Sequence, residues 1–330
     1  MSVENLALFA FETGHDYGAR VAAHLGMPLA PVEERDFEDG EHKARPLGNV
    51  RGKDAYVICS LYGDERLSVN DKLVRLLFFV GALRDAAAQS VTVVAPYLCY
   101  ARKDRKTKAR DPISSRYVAQ MFEAMGTTRF VTMDVHNLAA FQNAFRCPTE
   151  HLEARVLFAS HFAQRLRGEQ LVVLSPDVGG VKRAEEFRRT LADAVSEPPG
   201  GGFMEKRRSR GVVTGDVLVA EVADRSVIIL DDLISSGTTM RRCAKAARAA
   251  GARKVYAAAT HGLFMAGAAE VFADEAFDGV VVADTVPAFR LPPILVAQKV
   301  TVLDSTALVA EAIRRIATGG SIVELLGTEL

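Results

Sequence analysis

The chemistry in this chain is concentrated where an apolar run meets two carboxylates. Val227-Ile228-Ile229-Leu230 is followed by Asp231 and Asp232, then Leu233-Ile234, then Ser235, Ser236, Gly237, Thr238 and Thr239. Four apolar residues make a buried strand. Open α/β sheets put ligands at the carboxyl ends of such strands. A small, hydroxyl-rich turn opening a helix offers backbone N–H groups to a phosphate, with Ser and Thr hydroxyls as extra donors. The carboxylates accept hydrogen bonds from sugar hydroxyls. The same residues also make an ordinary strand, turn and helix N-cap, and the spacing alone does not separate the two readings.

The elements that must position this segment alternate along the chain. Leu6–Phe11 reads as a buried strand and 16–25 as a helix. Strands follow at 55–59, 91–95 and 129–133, with helices at 69–87 and from Pro112 to Gly126. The helix 69–87 carries Leu73, Leu76, Leu77, Val80 and Leu83 at helical spacing. The pattern restarts near Cys147-Pro148-Thr149, with helices at 153–167, 180–194, 237–250 and 305–317. Strands are expected there at 171–174, 217–222, 226–230, 254–259 and 279–283. Pro198-Pro199-Gly200-Gly201-Gly202 reads as a loop inside the second half. Strands alternating with helices predict an α/β chain with mainly parallel sheets, since parallel neighbours need crossover helices.

Composition excludes several classes. Lys+Arg and Asp+Glu both number 41, so a broad basic surface for nucleic acid or anionic lipid is not expected. Hydrophobic residues make up 49% and charged residues 25%, which is globular composition. Cys59, Cys99, Cys147 and Cys243 are scattered, with no C-x-x-C pair, so neither a zinc knuckle nor a disulfide framework is indicated. The apolar runs are too short for a membrane span and the first Lys or Arg is Arg20, so the expectation is a cytoplasmic protein without a targeting segment. No G-x-x-x-x-G-K-[ST] is present, which excludes a P-loop enzyme.

Val227–Thr239 resembles the 5-phosphoribosyl-1-pyrophosphate (PRPP) loop of the phosphoribosyltransferase fold, a loop shared by transferases and PRPP synthetases. Other segments favour the synthetases. Phe37-Glu38-Asp39-Gly40-Glu41 resembles their nucleotide-binding segment, and Pro96–Lys106 with Pro112-Ile113-Ser114 their ATP-contacting stretch. Asn49–Asp54 and Val69-Asn70-Asp71 are similar to their framework. Asp134-Val135-His136 resembles their metal site, Ser175–Gly180 their second acidic loop, and Lys206-Arg207-Arg208 their catalytic flexible loop. The segments run in family order from about residue 35 to 315. The chain is thereby identified as similar to the ribose-phosphate diphosphokinase (PRPP synthetase) family.

That resemblance implies two phosphoribosyltransferase-like, Rossmann-like domains: 1–150 on the ATP side, and 151–330 with the ribose 5-phosphate loop and a C-terminal helix. It implies Mg²⁺-dependent transfer of a diphosphoryl group from ATP to ribose 5-phosphate. Lys206 and Arg208 are the implied catalytic cations. Phe37, Asp39, Glu41, Arg102, Lys103 and Asp104 are the implied ATP residues. Arg208, Asp231, Asp232, Ser235, Ser236, Gly237, Thr238 and Thr239 are implied for ribose 5-phosphate, and His136 and Asp177 for the metal. Each has a plainer reading: solvated basic surface for Lys206–Arg208, a hairpin turn for Asp39-Gly40, an N-cap for Asp177, and a hydrogen-bonded side chain for His136. The family assembles dimers into a hexamer, so a homo-oligomer is implied. A non-catalytic regulatory homologue and a PRPP-using phosphoribosyltransferase are the other readings.

The chain departs from the family pattern at Lys103, in the loop Ser235-Ser236-Gly237-Thr238-Thr239, where the family usually carries Asp-Thr-(Gly/Ala)-Gly-Thr, and at Glu12-Thr13-Gly14-His15. Lys103 stands where the family usually has Gln, adding charge beside ATP. Thr238 stands where it usually has Gly, and a β-branched residue resists positive φ. Because Ser235 and Ser236 change with it, the expectation is a loop rebuilt on ordinary backbone rather than a strained one.

Overall fold

The computed structural model describes residues 5–209 and 212–327, and the side chains of 206–209 and 212–216 lie outside that description. The chain divides into two compact units, Met1–Glu153 with Ser305–Leu330, and Ala154–Asp304.

The first unit runs β1 (Leu6–Ala10), α1 (His15–Leu25), β2 (Val32–Asp36), β3 (His42–Pro46), β4 (Asp54–Ile58), α2 (Val69–Asp85), β5 (Ser90–Ala95), α3 (Ser114–Ala124), β6 (Arg129–Met133), α4 (Leu138–Ala144) and β7 (Thr149–Leu152). Five strands pair in parallel in the order β1-β4-β5-β6-β7. Their near-continuous apolar sequences are what a sheet covered on both faces requires. The Phe9 and Phe79 rings meet edge to face at 5.4 Å, and Phe122 meets Phe130 at 4.9 Å, all fully buried. Each such ring contributes roughly 2–3 kcal/mol through removal from water. Helix α2 starts on a capping box: Ser68 Oγ accepts from Asp71 N at 3.2 Å, and Asp71 Oδ2 accepts from Ser68 N at 2.8 Å. The hairpin β2–β3 has a polar, half-exposed sequence, so it carries no apolar signal.

The second unit runs α5 (Arg155–Arg165), β8 (Leu171–Ser175), α6 (Val181–Ala192), β9 (Gly200–Ser209), β10 (Val212–Val219), β11 (Ser226–Ile234), α7 (Thr238–Ala249), β12 (Lys254–Gly262), α8 (Ala268–Ala273), β13 (Gly279–Ala283), α9 (Pro293–Lys299) and β14 (Val300–Leu303). Its sheet order is β10-β9-β8-β11-β12-β13-β14, with only the β9–β10 pair antiparallel among the described residues. Three expectations shift here. The strand expected at 217–222 is β10, which ends at Val219. The Gly200-Gly201-Gly202 run, expected as a loop, is the start of β9 and pairs with β8. A Cβ on Gly202 would lie 2.3 Å from the Val219 carbonyl oxygen, so the close approach of β10 is open only to glycine. Strand β11 continues past residue 230 through both aspartates, because β12 pairs with it as far as Ile234↔Gly262.

After β14 the chain returns to the first unit as α10 (Thr306–Thr318) and α11 (Ile322–Leu325). Helix α10 packs on α1, and the Tyr17 and Ser305 hydroxyls meet at 2.8 Å. The units divide after Glu153, where the expected division is at residue 150, and the C-terminal helix expected in the second domain packs in the first unit. Its buried Leu308, Val309, Ala312 and Ile313 cover an apolar α1 face that nothing earlier in the sequence is marked to cover.

Candidate functional site

In the first unit, the loops after β4, β5 and β6 gather at the carboxyl edge of the sheet. Lys72 Nζ, on α2, lies 2.5 Å from Asp64 Oδ2 with only 2% of its side chain exposed. Asp64 Oδ1 accepts from the Arg66 and Leu67 N–H groups at 2.9 and 2.8 Å, and the Tyr62 ring lies 3.8 Å from the ammonium. The Tyr100 hydroxyl donates to Asn70 Oδ1 at 2.5 Å, tying the loop after β5 to the start of α2. Asp104 Oδ2 accepts from Asn137 Nδ2 at 2.6 Å, tying that loop to the one after β6. Asn137 also caps α4, accepting from Ala140 N at 3.1 Å. His136, exposed, precedes Asn137, and Asp134 takes a positive φ of 39° where the strand ends. The structure therefore brings Asp104 beside the His136 segment. Arg102 is exposed, and Lys103 turns inward to Asp111.

Phe37, Asp39 and Glu41 form the tip of the β2–β3 hairpin. Phe37 N donates to Glu41 O at 2.8 Å, Gly40 N donates to Phe37 O at 3.1 Å, and Asp39 Oδ1 accepts from Glu41 N at 3.1 Å. Gly40 has φ +90°, which suits the turn. Phe37 is 40% exposed, with the Arg35 guanidinium 5.1 Å from its ring centre. The hairpin is held on α2 by an Arg75–Asp36 ion pair and by the His42 ring stacked on Phe78 at 5.5 Å.

In the second unit, Asp231 and Asp232 sit near the carboxyl end of β11. Arg183 on α6, which sequence reasoning missed, places Nη1 3.1 Å from Asp231 Oδ1 and 3.2 Å from Asp232 Oδ1. Burial, and then the hydrogen bond and charge of Asp232, hold Asp231 well above the ordinary carboxylate range, with Arg183 opposing them. The only sequence signal for Arg183 was its place in the first turn after the Gly179-Gly180 loop. Gly237 takes φ +77°, and a Cβ there would lie 2.7 Å from the Phe272 ring. Thr238 is the first residue of α7 and has no positive φ. The left-handed residue is Gly237, and the expected ordinary backbone at Thr238 is what the loop adopts. The N-cap position of α7 is Gly237, which has no side chain to cap the helix, and no side-chain cap for this helix is present among the described residues. Its first intrahelical bond runs from Arg241 N to Gly237 O, so the N–H groups of the first turn face the Ser235–Thr239 loop. The Ser236 and Thr238 hydroxyls meet at 2.9 Å.

Asp177 serves as an N-cap: Oδ1 accepts from Gly179 N at 2.9 Å and Gly180 N at 3.2 Å. Among the described residues, no three His, Cys, Asp or Glu side chains converge as a metal cage. Lys206 and Arg208 fall in β9, opposite Asp216 and Val213 of β10, and their side chains lie outside the described ones. The Cys59, Cys99 and Cys243 thiols are buried and pushed up to about 12, so none is poised as a nucleophile.

Comparison with known proteins decides the ancestry of this arrangement. The N-terminal domain of ribose phosphate pyrophosphokinase matches residues 6–126, and the phosphoribosyl synthetase-associated domain matches residues 205–327. Ribose-phosphate pyrophosphokinase 1 of Streptococcus agalactiae is 36% identical over 320 residues, spanning 96% of this chain and 95% of its own length. This chain belongs to the ribose-phosphate pyrophosphokinase (PRPP synthetase) family. The Caldanaerobacter subterraneus ribose-phosphate pyrophosphokinase is also 36% identical, over 97% of this chain and 98% of its own. The crystal structure of the phosphoribosylpyrophosphate synthetase from Mycobacterium smegmatis matches with a TM-score of 0.85 and 32% identity, covering 96% of this chain and all of that one. The α/β fold with mainly parallel sheets is thus the synthetase fold. Among the described residues no helix is long and apolar enough to cross a membrane.

Proposed function

We propose that this chain makes PRPP and AMP from ATP and ribose 5-phosphate. The C1 hydroxyl oxygen of the sugar attacks the β-phosphorus of ATP, the bond from that phosphorus to the α,β-bridging oxygen breaks, AMP leaves, and the hydroxyl proton passes to solvent. Near-full-length similarity to named pyrophosphokinases supports the reaction class. The single observation that carries the sugar half is the uncapped α7 N-terminus directly behind an aspartate pair. Its N–H groups suit the 5-phosphate. Asp231 and Asp232 suit the ribose hydroxyls. The hairpin tip with Phe37, Asp39 and Glu41, and the segment around Arg102 and Asp104, suit the nucleotide.

Each phosphate monoester carries roughly −1.5 to −2 charge near neutrality, so two phosphorylated substrates need cations to meet. In this reading Lys206 and Arg208 neutralise charge on the transferred group. A well-placed arginine supplies ~10³–10⁵ in rate, or about 4–7 kcal/mol of barrier. Asp177 has one oxygen committed to backbone N–H groups and a second to offer, and His136 is exposed at its strand end. A hard oxygen donor and few protein ligands fit Mg²⁺, which is commonly held by one or two carboxylates plus substrate phosphates. In this reading His136 and Asp177 are metal donors, each within its own unit, and the ion would draw off phosphate charge. The reading carries with it a cytoplasmic homo-oligomer of dimers assembled into a hexamer.

Incubation with ATP, MgCl₂ and ribose 5-phosphate, followed by chromatographic assay of AMP and PRPP, tests the proposal. Equal AMP and PRPP is the expected result. No AMP above the sugar-free control would overturn it, and consumption of PRPP with a purine base would favour the transferase reading.

A further inference from the structure

The segment from Arg102 to Arg110 carries six cations: Arg102, Lys103, Arg105, Lys106, Lys108 and Arg110. Lys103 is set apart by its geometry. Its Nζ lies 2.6 Å from Asp111 Oδ2 and 3.3 Å from Thr107 Oγ1. The same Asp111 oxygen accepts from the Thr107 hydroxyl at 2.7 Å and from the N–H groups of Thr107 and Lys108 at 3.1 and 3.0 Å. One carboxylate oxygen thus gathers donors from three residues and closes the loop on itself. The Lys103 carbonyl in turn accepts from the Ser115 N–H at 3.3 Å and the Ser115 hydroxyl at 3.2 Å, anchoring it to the start of α3. Hydrogen bonding from Lys103, then from Thr107, holds the Asp111 carboxyl far below the ordinary carboxylate range. Two of the three N–H donors of the ammonium are taken by Asp111 and Thr107, and its charge is matched within the loop.

We propose that Lys103 and Asp111 are a positioning pair, a latch that fixes the nucleotide loop and presents Arg102 and Asp104 to ATP, and that Lys103 does not itself contact phosphate. The inference rests on the proposed ATP reaction. Its physical basis is pre-organisation: a loop already closed loses less freedom when the nucleotide binds. Arg102 and Asp104 flank Lys103 directly, and Asp104 is already held by Asn137. A lysine paired in this way leaves the segment with no more net charge than a neutral amide beside a neutral residue would give.

The experiment uses the full-length protein with Lys103→Gln, Asp111→Asn and the double variant. ATP and AMP affinities are read by calorimetry, KM and kcat by AMP release, and amide exchange is followed at Thr107 and Lys108. Each single variant is expected to weaken ATP and AMP alike, by roughly fivefold, the size a partly exposed ion pair supports. KM for ATP rises by the same factor while kcat falls less than twofold. The double variant loses no more than either single one, because both remove one interaction. Exchange at Thr107 and Lys108 speeds up in Asp111→Asn. Loss of ATP affinity in Lys103→Gln with AMP affinity and amide exchange intact would overturn the latch, as would additive losses in the double variant. Wild-type protein that releases no AMP would sink the reaction instead, and exchange with AMP titration would still decide the latch.

Discussion

Arg183 Nη1 lies 3.1 Å from Asp231 Oδ1. The same nitrogen reaches Asp232, so one guanidinium serves two neighbouring carboxylates on β11. Burial and Asp232 raise Asp231 above its ordinary range, so the folded chain binds more protons than the unfolded one from about pH 4 upward into the raised range. Ligand-free stability therefore falls with pH across that window. In the proposed reading a sugar hydroxyl donates to the ionised form, so ribose 5-phosphate affinity is expected to rise with pH. Between pH 7 and 8.5 the sugar phosphate is already largely dianionic, since its second pKa is about 6. Calorimetry in two buffers of different ionisation enthalpy should show proton release on binding in that range, and Asp231→Asn should abolish it. A pH-independent affinity in the wild type would rule the scheme out.

Lys206→Ala and Arg208→Ala are each expected to lose at least a hundredfold in kcat. Substrate affinities should change far less, because in the proposed reaction the cations act on charge that develops in the transition state. Pre-steady-state turnover with calorimetric binding separates the two. Wild-type-like turnover in both variants would remove β9 from the chemistry.

The loop before α7 makes opposite demands on adjacent residues. Thr238 has ordinary helical backbone, so Thr238→Gly should leave ribose 5-phosphate affinity the same or lower it slightly, through added chain entropy. Gly237→Ala should be much worse, because φ is +77° and the new methyl group meets Phe272. Calorimetric titration of both variants with ribose 5-phosphate checks this. A fivefold tightening in Thr238→Gly would show a strained loop.

The Lys72–Asp64 pair should respond asymmetrically. Asp64→Ala leaves an ammonium 2% exposed without its carboxylate, which costs about 3–5 kcal/mol for a buried charge. Lys72→Met leaves Asp64 20% exposed and still bonded to two backbone N–H groups, so it should cost less. Asp64 is lowered from its usual value: burial opposes ionisation, but the Lys72 and backbone hydrogen bonds outweigh it. Its contribution is therefore present above the unfolded carboxylate pKa and lost as pH falls through the folded one. Urea unfolding of both variants at pH 7 decides the order, and a larger loss in Lys72→Met would contradict it.

The buried strands were the legible part of the fold. Arg129–Met133 and Gly279–Ala283 have the bounds their apolar runs predict, because a strand covered on both faces has few other places to go. The β2–β3 hairpin left no comparable trace, since its residues are mostly polar and half exposed. Gly200–Gly202 misled because glycine marks a loop and a close strand approach equally well. At the site, the carboxylates and the glycine turn could be read from local order. Arg183 and Asp111 could not: their partners lie 48 residues and 8 residues away in sequence, and only the fold decides which charges meet.

The return of α10 to α1 has a consequence for synthesis. Val21, Ala22 and Leu25 emerge early from the ribosome, but the helix that covers them is encoded after the whole of the second unit. Ala154–Asp304 can complete its sheet while the first unit still shows an uncovered apolar stripe. The unit that begins first is finished last. A nascent chain stalled before Thr306 would leave that stripe open to chaperones until α10 is made.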